Sequence, residues 1–216
     1  MRYLALALAL FMQVPPEAKI RIAPPPLPSV PRAAAVLRGV RILDIRPDGV
    51  YFLGSACPVG GFDAYTALHV VAEAKGQLVA LPNHGHRAGP EDASRVHVVW
   101  KDDKHDLARI APDSADEAFL TWYPRGPVPL AGAEVRGVLI LPPPATLAVP
   151  TFGTFYGEDD GWLWGSQVSG PGSSGSCVLD DQDRVFAILT ATASWGNEGV
   201  TPSNMPRASV FVRIPD

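Results

Sequence analysis

Pro171-Gly172-Ser173-Ser174-Gly175-Ser176 consists only of turn formers and hydroxyl residues, and alone it reads as a hairpin turn. Two upstream segments change that reading: Thr66-Ala67-Leu68-His69 and His105-Asp106-Leu107-Ala108. In chain order they supply His69, Asp106 and Ser174. A serine hydroxyl is a poor nucleophile at neutral pH and needs a neighbouring base to take its proton. Imidazole suits that task, and a carboxylate on its other nitrogen fixes the tautomer and stabilises the imidazolium. Asp106 opens the apolar run Leu107-Ala108-Arg109-Ile110, where a buried carboxylate is costly without a partner. Asp102 and Asp103 lie in a charged turn and are expected to be solvated. Of the three serines, Ser174 fits best, because Ser173 is followed by another serine and Ser176 by a cysteine.

This order and these surroundings resemble the trypsin/chymotrypsin-like serine peptidases, in their compact, disulfide-poor bacterial or viral form. The family's phrases are T-A-x-H, D-L-A and G-x-S-G-G/S. The resemblance covers roughly Val36 onward, and only the three phrases are specific. It implies an all-β fold of two barrels with the active-site cleft between them, His69 and Asp106 coming from the first barrel and Ser174 from the second. It implies a serine endopeptidase that forms an acyl-enzyme on Ser174, with His69 as general base and Asp106 orienting it. The backbone N–H groups of Gly172 and Ser174 would form the oxyanion hole. No cofactor and no metal are expected, and the partner is a polypeptide substrate.

Departures from the family pattern carry their own expectations. Val70 follows the histidine where secreted animal members carry a disulfide cysteine, so a disulfide-built scaffold is excluded. Cys57 and Cys177 are the only cysteines. The family fold brings their segments together across the barrel interface, which leaves a disulfide and two buried thiols both open. Ser173 stands where activatable zymogens have an aspartate, and Arg21-Ile22 is followed by Ala23-Pro24, so the barrels are expected to be competent without processing. Val168, six residues before Ser174, gives the substrate pocket no acidic floor. Its opposite wall falls to Thr190, Ala191 and Thr192 or, with a shifted register, to Ser194-Trp195-Gly196. Either way the pocket is neutral and suits small or apolar residues.

The 216 residues, 47% hydrophobic and 19% charged, have an ordinary globular composition. A net charge of −4 provides no footprint for nucleic acid. Twenty-three prolines and twenty glycines punctuate the chain into short segments, as many strands joined by turns require. Candidate strands are 36–45, 50–56, 62–68, 77–81, 96–101 and 106–110, then 118–123, 134–141, 147–155, 161–168, 176–179, 185–193 and 208–214. Short helices are expected at 70–75 and 113–118. A break near residue 115 divides the strands into an N-terminal barrel, 33–115, and a C-terminal barrel, 116–216.

Residues 1–32 read as a signal-like apolar start followed by a proline-rich linker. The apolar run after Arg2 is too short for a membrane span of about 20 residues, so no integral span is expected. Export is favoured, against an uncleaved apolar strand or surface anchor in a cytoplasmic or virus-associated protein. His84 and His86, Glu158-Asp159-Asp160 and Asp180-Asp181 lack a third ligand at a recognisable spacing and read as polar loop residues. An α/β-hydrolase fits the chain order less well, since its serine precedes the acid and the histidine. The alternatives are a catalytically inactive binding or structural module of the same fold, and a polyprotein-processing peptidase that differs only in substrate.

Overall fold

The computed structural model describes residues 39–59, 63–83, 93–114, 123–140, 148–167, 169–194 and 207–215. The first strands are β1 (Gly39–Arg46), β2 (Gly49–Pro58) and β3 (Ala64–Ala67), and the short helix α1 (Leu68–Ala72) follows them. β4 (Gln77–Asn83), β5 (Ser94–Asp102) and β6 (Leu107–Pro112) complete a closed barrel in the order β1-β2-β3-β6-β5-β4. A second closed barrel, ordered β10-β11-β12-β9-β8-β7, contains β7 (Glu134–Ile140), β8 (Ala148–Asp159), β9 (Trp162–Gly165), β10 (Cys177–Leu179), β11 (Val185–Ser194) and β12 (Arg207–Arg213). This is the expected chymotrypsin-type double barrel. Closure removes the unpaired strand edges that an open sheet would expose.

Each barrel has its own apolar filling. Val40, Ile42, Ala56, Val70, Val96 and Ile110 fill the first, while Val135, Phe155, Leu163, Phe186, Leu189 and Phe211 fill the second. A third cluster joins them, built from Cys57, Tyr65 and Leu107 on one side and Val138, Ile140, Cys177 and Ile188 on the other. Each fully buried side chain of this size contributes about 1.5–3 kcal/mol, so the interface is a core in its own right. Within it Cys57 and Cys177 form a disulfide, which decides between the two states the sequence left open.

Identifiable hydrogen bonds and turn residues account for several element ends. Asp160 and Gly161, with φ of 48° and 79°, form the two-residue loop between the paired Asp159 and Trp162. Two positive φ values are what an Asp-Gly hairpin turn requires. β8 runs past the expected end at Phe155 because an irregularity at Phe155–Gly157 lets pairing continue to Asp159. The expected helix 70–75 instead begins at Leu68 and ends at Ala72. It stops there because the Asp44 carboxylate takes the N–H groups of Lys75 and Gly76, at 2.9 and 2.8 Å, and turns the chain into β4.

Of the expected strand 118–123 only Tyr123 is described, in a lone parallel bridge with Val59. Residues 113 and 114 of the expected helix 113–118 form a bend, and the remainder lies outside the described residues. So do residues 1–38 and the break near 115. Among the described residues no helix is long and apolar enough to cross a membrane.

Candidate active site

β3 carries Thr66 and Ala67 directly into α1, which places His69 on the second residue of the helix. Val70 and Val71 bury the other face of α1 in the first barrel, leaving the imidazole half-exposed at the surface. Asp106 ends the turn between β5 and β6 with φ of 52°, a left-handed conformation that Asp tolerates better than most residues. That twist aims its carboxylate at His69. Oδ2 lies 2.6 Å from the ring Nδ1, and Oδ1 accepts the His69 backbone N–H at 2.9 Å.

The turn leading to Asp106 is held by Asp102, which accepts from the N–H groups of Lys104 and His105 and lies 2.6 Å from the His105 ring. The His105 bond holds the Asp102 carboxyl below its ordinary value, against the upward push of burial. Asp102 is therefore a structural cap where the sequence suggested a solvated carboxylate; Asp103 is exposed as expected. His105 packs edge-on against Trp162, which ties this turn to the second barrel.

Ser174 lies half-buried on a loop that two glycines permit. Gly172 has φ of 85° and Gly175 has φ of 88°. A β-carbon on Gly172 would overlap the Phe52 ring, and one on Gly175 would overlap the Ser55 carbonyl oxygen. Ser173 is buried, with its hydroxyl donating to the Gly170 carbonyl at 2.6 Å and accepting the Gly170 N–H at 3.1 Å. The loop thus orders itself through a neutral hydroxyl at the position where the aspartate is missing. Among the described residues, the N–H groups of Gly172 and Ser174 have no acceptor.

The Ser174 hydroxyl donates to the Thr190 carbonyl at 3.3 Å. Among the described residues it makes no hydrogen bond to His69. Thr190 falls at the irregularity between Leu189 and Ala191 where β11 slips against β12. The irregularity lets its carbonyl face Ser174 while its own hydroxyl, buried, donates to Val210 at 3.2 Å. Ala191 is exposed, the backbone of Thr192 pairs with Ser209, and Val168 lies outside the described residues.

Two residues at the site were not singled out by sequence. Phe52 lies against Gly172, and Ser55 bonds to the Ser174 loop. The only trace of Ser55 is a polar residue amid the otherwise apolar Leu53–Cys57 stretch. His84 and His86 lie outside the described residues. Asp180 lies in the loop after β10, as expected, but it is buried and accepts from the N–H groups of Gln182 and Arg184 and from the Arg184 guanidinium. No group of three or more His, Cys, Asp or Glu is placed to hold a metal among the described residues.

No protein-family model and no curated protein matches the chain. Solved structures do. An HtrA-type protease, AlgW, with a decapeptide is similar at a TM-score of 0.60 and 17% identity, over 83% of this chain and 61% of that one. The chain therefore spans less than two thirds of the AlgW chain. The apo MamO protease domain from Magnetospirillum magneticum is similar at a TM-score of 0.61 and 16% identity, over 81% of this chain and 89% of that one. Similarity at these identities establishes the fold, a double barrel of the protease type.

Proposed function

We propose that this chain is a serine endopeptidase in which Ser174 is the nucleophile, His69 the general base and Asp106 the group that orients it. Ser174 Oγ attacks the substrate carbonyl carbon as its proton passes to His69, and the oxyanion that forms is held by the N–H groups of Gly172 and Ser174. His69 then returns the proton to the leaving amine, and water, deprotonated by the same imidazole, releases the acid from Ser174. The observation that carries this reading is the double engagement of His69 by Asp106, at 2.6 and 2.9 Å. That arrangement puts the Nδ1 proton toward the carboxylate and leaves the other ring nitrogen to act as the base. Before attack, the Ser174 hydroxyl has to exchange its long bond to Thr190 for one to His69.

The decapeptide on the AlgW protease supports a polypeptide as the substrate class. Val168, Thr190, Ala191 and Thr192 place no charge in the proposed pocket, which favours small or apolar side chains before the scissile bond. The disulfide favours an oxidising compartment and hence export.

Labelling by a fluorophosphonate probe tests the reading, with Ser174→Ala and His69→Ala as comparisons. Labelling on Ser174 that is lost in both variants is expected. A folded wild-type chain that resists the probe would favour the inactive-module alternative, to which the missing Ser174–His69 bond points.

A further inference from the structure

One buried residue of the first barrel grips the nucleophile loop of the second at two points. Ser55, on β2 and fully buried, donates its hydroxyl to the Gly172 carbonyl at 2.7 Å and its backbone N–H to the Ser174 carbonyl at 2.9 Å. Its own carbonyl accepts the hydroxyl of Thr66, also fully buried, at 2.6 Å. Thr66 lies on the strand that runs straight into His69.

A peptide unit is planar, so fixing its carbonyl fixes the N–H on its other edge. Ser55 pins the peptide that follows Gly172 and the peptide that follows Ser174. Between those two lies the peptide that carries the Ser174 N–H. The peptide carrying the Gly172 N–H adjoins the first of the pinned units. Both N–H groups proposed for the oxyanion pocket thus lie in peptide units that adjoin ones held by Ser55, whose own anchor is the strand that leads into His69. The unit that carries the Ser174 N–H is held in addition by the Ser176 N–H, which donates to the Ser173 carbonyl at 3.0 Å. Gly175 allows the approach, since any side chain there would strike the Ser55 carbonyl oxygen.

We propose that Ser55 is a positioning residue that sets the direction of the oxyanion donors and registers the nucleophile loop against His69. This rests on the peptidase reading above. Oxyanion donors act on charge that develops in the transition state. A loss of aim therefore lowers kcat, with little change in KM.

The test compares the wild-type chain, Ser55→Ala and Ser176→Ala. Ser176 lies in the same loop segment, buried, with a hydroxyl that has no partner among the described residues. Four quantities are measured: the fluorophosphonate labelling rate, kcat and KM on a peptide ester with alanine before the scissile bond, and the thermal midpoint. Ser55→Ala is expected to slow labelling and kcat by about tenfold, less than outright removal of a donor. KM and the fraction folded should match wild type, and Ser176→Ala should behave as wild type.

Equal rates in wild type and Ser55→Ala overturn the proposal alone. So does equal slowing in Ser176→Ala, or a loss that follows the unfolded fraction. An inert wild-type chain overturns the peptidase reading, and this proposal with it. If Ser55→Ala does not fold, Thr66→Val removes the anchor while keeping the shape. A smaller fall in kcat is then expected, and an unchanged kcat overturns the proposal.

Discussion

Asp106 holds His69 by both carboxylate oxygens while its own carbonyl accepts the N–H of Leu68 at 2.9 Å, so the helix start and the imidazole share one anchor. The acid therefore has two separable duties, one in the backbone and one in the ring.

Asp106→Asn separates them. Asparagine tolerates the left-handed φ and still accepts the His69 N–H, so the thermal midpoint should stay near wild type. The amide reverses the preferred tautomer, and kcat should fall about 10⁴-fold. Retention of more than about a tenth of the activity would remove Asp106 from proton handling.

Glycine replacement in the nucleophile loop should hurt for two different reasons. In Gly175→Ala the new methyl meets the Ser55 backbone, which cannot yield, so both folding and labelling should be lost. In Gly172→Ala the obstacle is the Phe52 ring, a side chain. Adding Phe52→Leu should then recover part of the stability, leaving the strain at φ of 85°. Unfolding midpoints of the single and double variants check this, and no recovery would mean that the ring is not the obstacle.

Removal of the disulfide should lower stability while leaving the barrels assembled. It spans a sequence separation of 120 residues, for which chain entropy predicts about 5 kcal/mol of stabilisation. Denaturant unfolding of the wild type against the double variant Cys57→Ala/Cys177→Ala measures this. A difference under about 1 kcal/mol would show that the apolar interface fixes the barrels unaided.

Asp44 should make stability depend on pH. Burial pushes its carboxyl up, but the N–H groups of Lys75 and Gly76 and the Arg46 guanidinium outweigh burial and hold it below its ordinary value. A carboxyl depressed in the folded state stabilises fully above its unfolded value of about 3.9, and that contribution fades as pH falls through the folded value. Asp44→Asn should lower the midpoint at neutral pH and flatten its decline below about pH 5. An unaltered acid limb in the variant would place the titration elsewhere.

The fold was legible because strand lengths and turns are local properties. Asp160-Gly161 announces its hairpin, and apolar positions such as Val40 and Ile42 mark the inward face of their strand. The candidate site was legible through three short phrases, each local as well. What the sequence did not disclose depends on pairing across distance. Asp44 ends α1 from more than thirty residues away, and nothing near Lys75 signals it. Ser55 meets Gly172 at a separation of 117 residues. The slip at Thr190 follows from the register of β11 on β12, which no periodicity within β11 encodes. Asp102 read as a solvated carboxylate and Asp180 as a plain loop residue because both accept hydrogen bonds from neighbouring backbone N–H groups that composition does not describe.

The bridge between Cys57 and Cys177 also changes what a cut means. Every peptide bond between those two residues lies inside a covalent ring, and that ring includes both His69 and Asp106. A single nick within it, self-inflicted or otherwise, yields no fragment: the pieces migrate as one chain until a thiol reductant separates them. His69 and Ser174 therefore remain parts of one molecule even after the backbone joining them has been broken.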